Sequence, residues 1–283
     1  MALRNLRICL AGALAAALGG CTAVIDQTSF FPQVEAPPPG VALVAPAGYA
    51  ITEAMLDLPD LGTIHAVRLD NPASQTVIVY SGGNASFVSA SSHLAAALAA
   101  ATGADLIFYD YPGRGGTNVP ATIDASIATG PALVSELRRR GWIGGGALFA
   151  YGLSFGGSQA AAMARAGGFD GLILEGTAAD IAAVGRNFVP GIAKPFVRLH
   201  VDPELQRFDF LSYAVSAGAP ILLLSSRGDE VVRPRNMQAF AEQLRARGVG
   251  VNMVTVAGTH GTALREAEAR AALREFVAAH SRR

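Results

Sequence analysis

Cysteine is nearly absent from the 283 residues, which contain two, Cys9 and Cys21. With Cys9 in an N-terminal leader, no pair remains for an internal disulfide, and the fold must be held by burial and hydrogen bonding. Lysine is scarcer still: Lys194 is the only one among 22 basic residues, and 22 acidic residues balance them. A chain without net positive charge lacks the electrostatic footprint of a nucleic-acid ligand, so no such partner is expected. Long apolar runs are missing as well. The stretch Ile8 to Leu18 is interrupted by glycine and ends near a cysteine, short of the roughly 20 apolar residues that a bilayer-spanning helix needs. Metal-ligand clusters are not evident, and the glycine-rich loop at Gly113-Arg114-Gly115-Gly116 fits neither phosphate-cradling pattern, Gly-x-x-x-x-Gly-Lys-Ser/Thr or Gly-x-Gly-x-x-Gly. No metal and no cofactor are therefore expected.

Apolar residues are plentiful, at 51%, enough for one α/β domain with a full core and too little chain for two. Arg4 and Arg7 precede the apolar stretch and Gly19-Gly20-Cys21 closes it, the order of charged, hydrophobic and small-residue regions in a secretory signal. Leu18-Gly19-Gly20-Cys21 resembles the bacterial lipoprotein lipobox. The resemblance implies that residues 1–20 are a signal peptide and that Cys21 becomes a lipidated N-terminus. The protein would then be exported and membrane-anchored on the periplasmic or cell-surface side; an ordinary cleaved signal is the alternative. Residues 21–50 are rich in Pro, Gly and small side chains, including Pro37-Pro38-Pro39-Gly40, and read as a flexible tether.

Residues 51–283 alternate strand and helix patterns. Ala54 to Leu58 and Ile64 to Leu69 bracket a turn, and Thr76 to Tyr80 is a β-branched run suited to a buried strand. Further strands are expected from Leu106, running into a glycine-rich loop that reaches Thr117, and at Ala147 to Tyr151, Gly171 to Leu174, Pro220 to Ser225 and Val251 to Val256, with helices at Phe87 to Ala101, Ala125 to Arg140, from near Pro234, and ending near Ala279. Alternation of this kind predicts an open, mostly parallel sheet with helices on both faces. The apolar stretch 177–216, broken by glycine and proline, reads as a small cap.

The chemistry centres on Tyr151-Gly152-Leu153-Ser154-Phe155-Gly156-Gly157, a Gly-x-Ser-x-Gly turn between an apolar strand and an Ala-rich helix at Ser158 to Ala166. A serine hydroxyl becomes an exposed nucleophile there only if the turn is very tight, which requires Gly152 and Gly156 to lack β-carbons. A structural glycine turn is the bland alternative. Strand, turn and helix in this order resemble the α/β-hydrolase superfamily from about Glu53 to the C-terminus. The resemblance implies a serine hydrolase of the carboxylesterase, lipase or thioesterase kind, with Ser154 as nucleophile.

In the same superfamily the acid commonly follows the strand after the cap, where Asp229 stands, with Glu175 and Asp180 as reserves after the preceding strand. Only His260 and His280 come after Asp229, as the order Ser, acid, His demands, and His260 lies on a strand-to-helix loop. Beside the superfamily's His-Gly oxyanion motif, Ser81-Gly82-Gly83-Asn84-Ala85 keeps the second glycine, has Gly82 in place of the histidine, and leaves the donor open between Asn84 and Ala85. The backbone N–H of Phe155 is the other expected donor. Leu106 to Thr117 resembles the Asp-x-x-Gly-x-Gly-x-Ser segment, with Asp110 read as a loop-organising carboxylate. The expected partner is a small acyl substrate. Competing readings are a peptidase or amidase, or a non-catalytic module of the same fold.

Overall fold

The computed structural model describes residues 21–32, 37 and 39–281; the expected signal peptide, residues 1–20, lies outside them. The described chain begins with β1 (Cys21–Ile25). A hairpin, β2 (Ala50–Leu58) and β3 (Gly62–Asp70), is followed by β4 (Val77–Ser81), α1 (Ser92–Thr102), β5 (Asp105–Tyr109) and α2 (Ile123–Arg139). Next come β6 (Leu148–Leu153), α3 (Phe155–Ala164), β7 (Gly171–Glu175), α4 (Ile181–Gly185), β8 (Val197–Val201) and α5 (Phe210–Ser216). The chain closes with β9 (Ile221–Ser226), α6 (Pro234–Arg245), β10 (Val251–Val256) and α7 (Ala267–His280).

Eight strands form one sheet in the order β10-β9-β7-β6-β4-β5-β3-β2. It is parallel from β10 to β5, with β3 and β2 running antiparallel at one edge. Central strands read as unbroken apolar runs because both of their faces are covered. Val77 and Val79 of β4 face the layer of α2, α3, α5 and α6, while Ile78 and Tyr80 face α1 and α7. Leu148, Ala150, Ile221 and Leu223 join the first side, and Phe149, Tyr151, Leu222 and Leu224 the second, so a period of two sorts every strand between two cores. The expected open sheet with helices on both faces is what forms.

Two expectations about the periphery need correction. Residues 21–50 do not begin as a loose tether: Cys21–Ile25 pairs in parallel with β8, Cys21 opposite Val197 and Ile25 opposite Val201, in a two-stranded sheet of its own. The proline count of residues 37–39 masked a short β-capable segment, Thr22 to Ile25, whose partner lies some 175 residues away. The cap is also smaller than 177–216. Phe210 and Ala214 of α5 are buried in the core beside α3 and α6, so the last part of that stretch belongs to the helical layer. The part that stands apart is α4 through β8, with β1 added.

Candidate active site

Ser154 lies between the end of β6 and the first residue of α3, with φ 54° and ψ −123°. A non-glycine residue held at positive φ stores of order 1–3 kcal/mol of strain and persists only where surrounding structure enforces it. The enforcement is visible. A β-carbon on Gly152 would strike the backbone of Gly156 and Gly157, and one on Gly156 would strike the carbonyl oxygens of Ser81 and Gly82. Both glycines are thus required by close approach, and the tight strand-to-helix turn read from the sequence is present.

Asp229 and His260 come from the loops after β9 and β10. They meet: His260 Nδ1 lies 2.8 Å from Asp229 Oδ2. Asp229 is buried, and its other oxygen accepts from the backbone N–H groups of Val231 at 2.9 Å and Val232 at 2.8 Å. It therefore turns the loop and fixes the ring at once, and is not a cap for α6, whose N-terminus makes no side-chain cap bond. The left-handed Gly176, φ 52°, follows β7 and passes beside this pair; a β-carbon there would sit 3.1 Å from His260 Nδ1 and 3.2 Å from Asp229 Oδ2. Leu153, next to Ser154, packs against Gly261, next to His260, its methyl groups 3.2 and 3.3 Å from where a Gly261 β-carbon would be. The histidine loop thus rests on the elbow. Among the described residues, no hydrogen bond joins Ser154 and His260.

The reserve acids are engaged elsewhere. Asp180 accepts from the N–H of Ala183 at 2.8 Å and caps α4. Glu175, fully buried at the end of β7, accepts from Tyr151 Oη at 2.6 Å and from the backbone N–H of Ala263 at 2.8 Å. Burial pushes its pKa above the usual carboxylate value, opposed by those two hydrogen bonds. It anchors the segment just after His260 to the sheet.

On the other side of Ser154 stands the loop 82–86. A β-carbon on Gly83 would lie 3.5 Å from Ser154 Cβ, so this loop sits directly on the elbow. Ala85 has φ 67°, and its N–H donates to Tyr111 Oη at 3.0 Å, which in turn donates to Asn84 Oδ1 at 3.2 Å. Of the two open donors, Ala85 is already paired. The Asn84 side chain is also committed, donating from Nδ2 to the Ser29 carbonyl at 2.9 Å, while the buried Arg114 approaches its Oδ1 at 3.5 Å. Among the described residues the backbone N–H groups of Asn84 and Phe155 make no hydrogen bond to protein.

Sequence reasoning missed what lies over Phe155. Phe30 packs tilted and Phe31 edge-on against its ring at centroid distances of 5.0 and 5.8 Å, and Tyr111 and Phe208 complete the cluster at 5.9 and 5.8 Å. The one available signal was an aromatic pair, Phe30-Phe31, inside a stretch otherwise poor in aromatics. Asp110 holds the neighbouring loop as expected, accepting from the N–H of Val88 at 2.9 Å and meeting His65 Nδ1 at 2.6 Å.

No protein-family profile and no curated protein matches this sequence. Solved structures do. An esterase of Pyrococcus furiosus aligns with a TM-score of 0.69 at 17% identity, covering 87% of this chain and 100% of its own. Carboxyl esterase 2 of the mycorrhizal fungus Tuber melanosporum gives 0.63 at 16% identity, over 89% of this chain and 96% of its own. A thermostable esterase from Pseudomonas putida gives 0.59 at 18%, over 86% of each. At such identities the likeness concerns the fold, and the fold of this chain is that of the α/β-hydrolases.

Proposed function

We propose that this chain, an α/β-hydrolase by fold, is a serine hydrolase that cleaves an acyl ester or thioester through an acyl-enzyme intermediate. The observation that carries the reading is the 2.8 Å contact of His260 Nδ1 with a buried Asp229, next to a serine held at φ 54°. With Nδ1–H donated to Asp229, the lone pair of His260 Nε2 is free to take the Ser154 proton as Oγ attacks the acyl carbonyl carbon. The carbonyl electron pair moves onto oxygen, where the backbone N–H groups of Phe155 and Asn84 would stabilise it, a contribution of about 3 kcal/mol per donor in comparable sites. His260 then returns the proton to the departing alkoxide or thiolate. Water, deprotonated by the same ring, releases the acid and restores Ser154. Asp229 stays ionised throughout and holds the imidazolium.

The leader pattern supports a second part of the proposal: export as a lipoprotein anchored through Cys21 to a membrane facing the periplasm or the cell surface. Several acyl chains on one residue suffice for stable attachment, where one would not.

Labelling with a fluorophosphonate probe tests the first part. Wild type should react and Ser154→Ala should not, with kcat on short acyl esters reduced by several orders of magnitude and unfolding unchanged. Undiminished labelling of Ser154→Ala would remove Ser154 from the mechanism, and an unreactive wild type would favour a non-catalytic module. Mass spectrometry of the mature N-terminus tests the second, and an unmodified terminus beyond Cys21 contradicts it.

A further inference from the structure

The part of the cap that stands apart from the sheet carries an unusual surface. Phe188 is 46% exposed, Phe196 68% and Ile192 88%, and Val24 on the adjoining β1 is 57% exposed. Three large apolar side chains exposed within nine residues, beside a fourth on the paired strand, are the composition of a surface that meets another apolar phase. The same stretch, 181–201, contains Arg186, Lys194 and Arg198 and not one Asp or Glu, although the chain as a whole is balanced. Lys194, the only lysine, stands between Ile192 and Phe196.

The pairing of β1 with β8 gives this surface an orientation. Cys21 is opposite Val197, the residue immediately after Phe196, and adjacent strands run only about 4.8 Å apart. One face of the two-stranded ribbon is packed: Ile25 and Leu199 side chains occupy the space where a β-carbon on Gly185 of α4 would lie. The opposite face, with Val24, Arg198 and His200, is open. Cys21 is the first residue of its strand, so no slack separates it from the cap.

We infer that this face of the cap docks on an anionic lipid surface, with Ile192 and Phe196 inserted at the acyl boundary and Arg186, Lys194 and Arg198 at headgroup level. Exposed aromatic and aliphatic side chains flanked by cations, without intervening carboxylates, are the composition of an interfacial contact. The inference rests in part on the lipid-acceptor reading of Cys21. Cys21 has the parity of Ile25, so its side chain leaves on the α4 side of the ribbon, at the exposed first residue of β1. Acyl chains there would reach the lipid around that end, next to Phe196, and the cap, not a loose tether, would set the distance of the enzyme from the membrane. The segment that follows β1 continues to Phe30 and Phe31 against Phe155, so docking would bring the covered side of the candidate active site toward the lipid.

The test uses the full chain, expressed with its leader, recovered from the membrane fraction and reconstituted in phosphatidylcholine vesicles containing phosphatidylglycerol. Ile192→Cys and, separately, Gly144→Cys carry an environment-sensitive fluorophore; Gly144 is exposed in the loop before β6, at the opposite ends of the strands. A bilayer-resident nitroxide should quench the label at 192 by about twofold or more and leave that at 144 nearly unchanged, as expected for burial of a few ångströms into the boundary. Mass spectrometry of the same sample reports the state of Cys21 independently. Lipid on Cys21 with equal or no quenching at 192 overturns docking and leaves the anchor standing. Quenching confined to 192 without lipid on Cys21 supports docking and removes the anchor. A label at 192 that is shielded before vesicles are added identifies a second copy of the chain as the occupant and overturns the membrane assignment.

Discussion

Asp229 and Glu175 are both buried carboxylates at the ends of neighbouring strands, and their partners separate their roles. Asp229 gives one oxygen to His260 and the other to backbone, whereas Glu175 spends both on Tyr151 and Ala263. Asp229→Asn should therefore lower kcat by roughly 10⁴-fold, because an amide leaves the wrong histidine tautomer available. Asp180→Asn and Glu175→Gln should cost far less, and an inactive Glu175→Gln beside an active Asp229→Asn would reverse the assignment. Glu175 has a stability signature of its own. Burial raises its pKa, so its protonated form is favoured in the folded chain; that contribution is complete below the ordinary carboxylate value of about 4.3 and is lost as pH rises through the raised folded value. Glu175→Gln stays neutral, so its Tm should fall less than that of wild type as pH rises above about 4.3, a comparison that calorimetry across pH can make.

Elements are held to one another by equally local devices. His65 on β3 meets Asp110 at the end of β5 at 2.6 Å and Glu53 on β2 at 2.7 Å. The hydrogen bond to Asp110 is the larger cause of its raised pKa; burial opposes it and the exposed Glu53 adds a smaller share. A histidine with a raised pKa stabilises the fold fully below about 6.5, and that stability is lost as pH rises through the folded value. Denaturant unfolding should then show wild type ahead of His65→Gln by a wider margin at pH 5.5 than at pH 8.5, and an equal margin would discount the pair. The β1 ribbon shows how an element escapes a sequence reading. Thr22, Val24 and Ile25 favour strands, but a largely exposed run of five residues acquires strand geometry only with Val197 to Val201 alongside, and pairing across so many residues leaves no periodic trace in either segment.

At the scale of the whole molecule, stability comes from the two cores divided by the sheet. Leu223 on β9 is fully buried in the core under α5 and α6, and Leu223→Ala should lower the unfolding free energy by about 2–5 kcal/mol through lost transfer energy and the cavity left behind. Fluorophosphonate labelling at a permissive temperature should persist in that variant, since β9 positions Asp229 through backbone geometry that the truncation leaves in place; loss of both together would mean that core and site are one cooperative unit. The amino-acid sequence by itself determined the order of the sheet's strands and the helices between them outside the cap, and the tight turn at Ser154, and it singled out His260, because apolar periodicity, paired glycines and chain order are local properties that a linear string retains. Chain order favoured Asp229 and kept Glu175 and Asp180 in reserve, but the contact of Asp229 with the histidine, whether Ala85 or Asn84 keeps a free N–H, and the path of residues 21–31 over Phe155 were visible only in the tertiary structure. Each depends on side chains and backbone groups brought within about 3 Å of one another from distant parts of the chain, the range at which a hydrogen bond is made or lost.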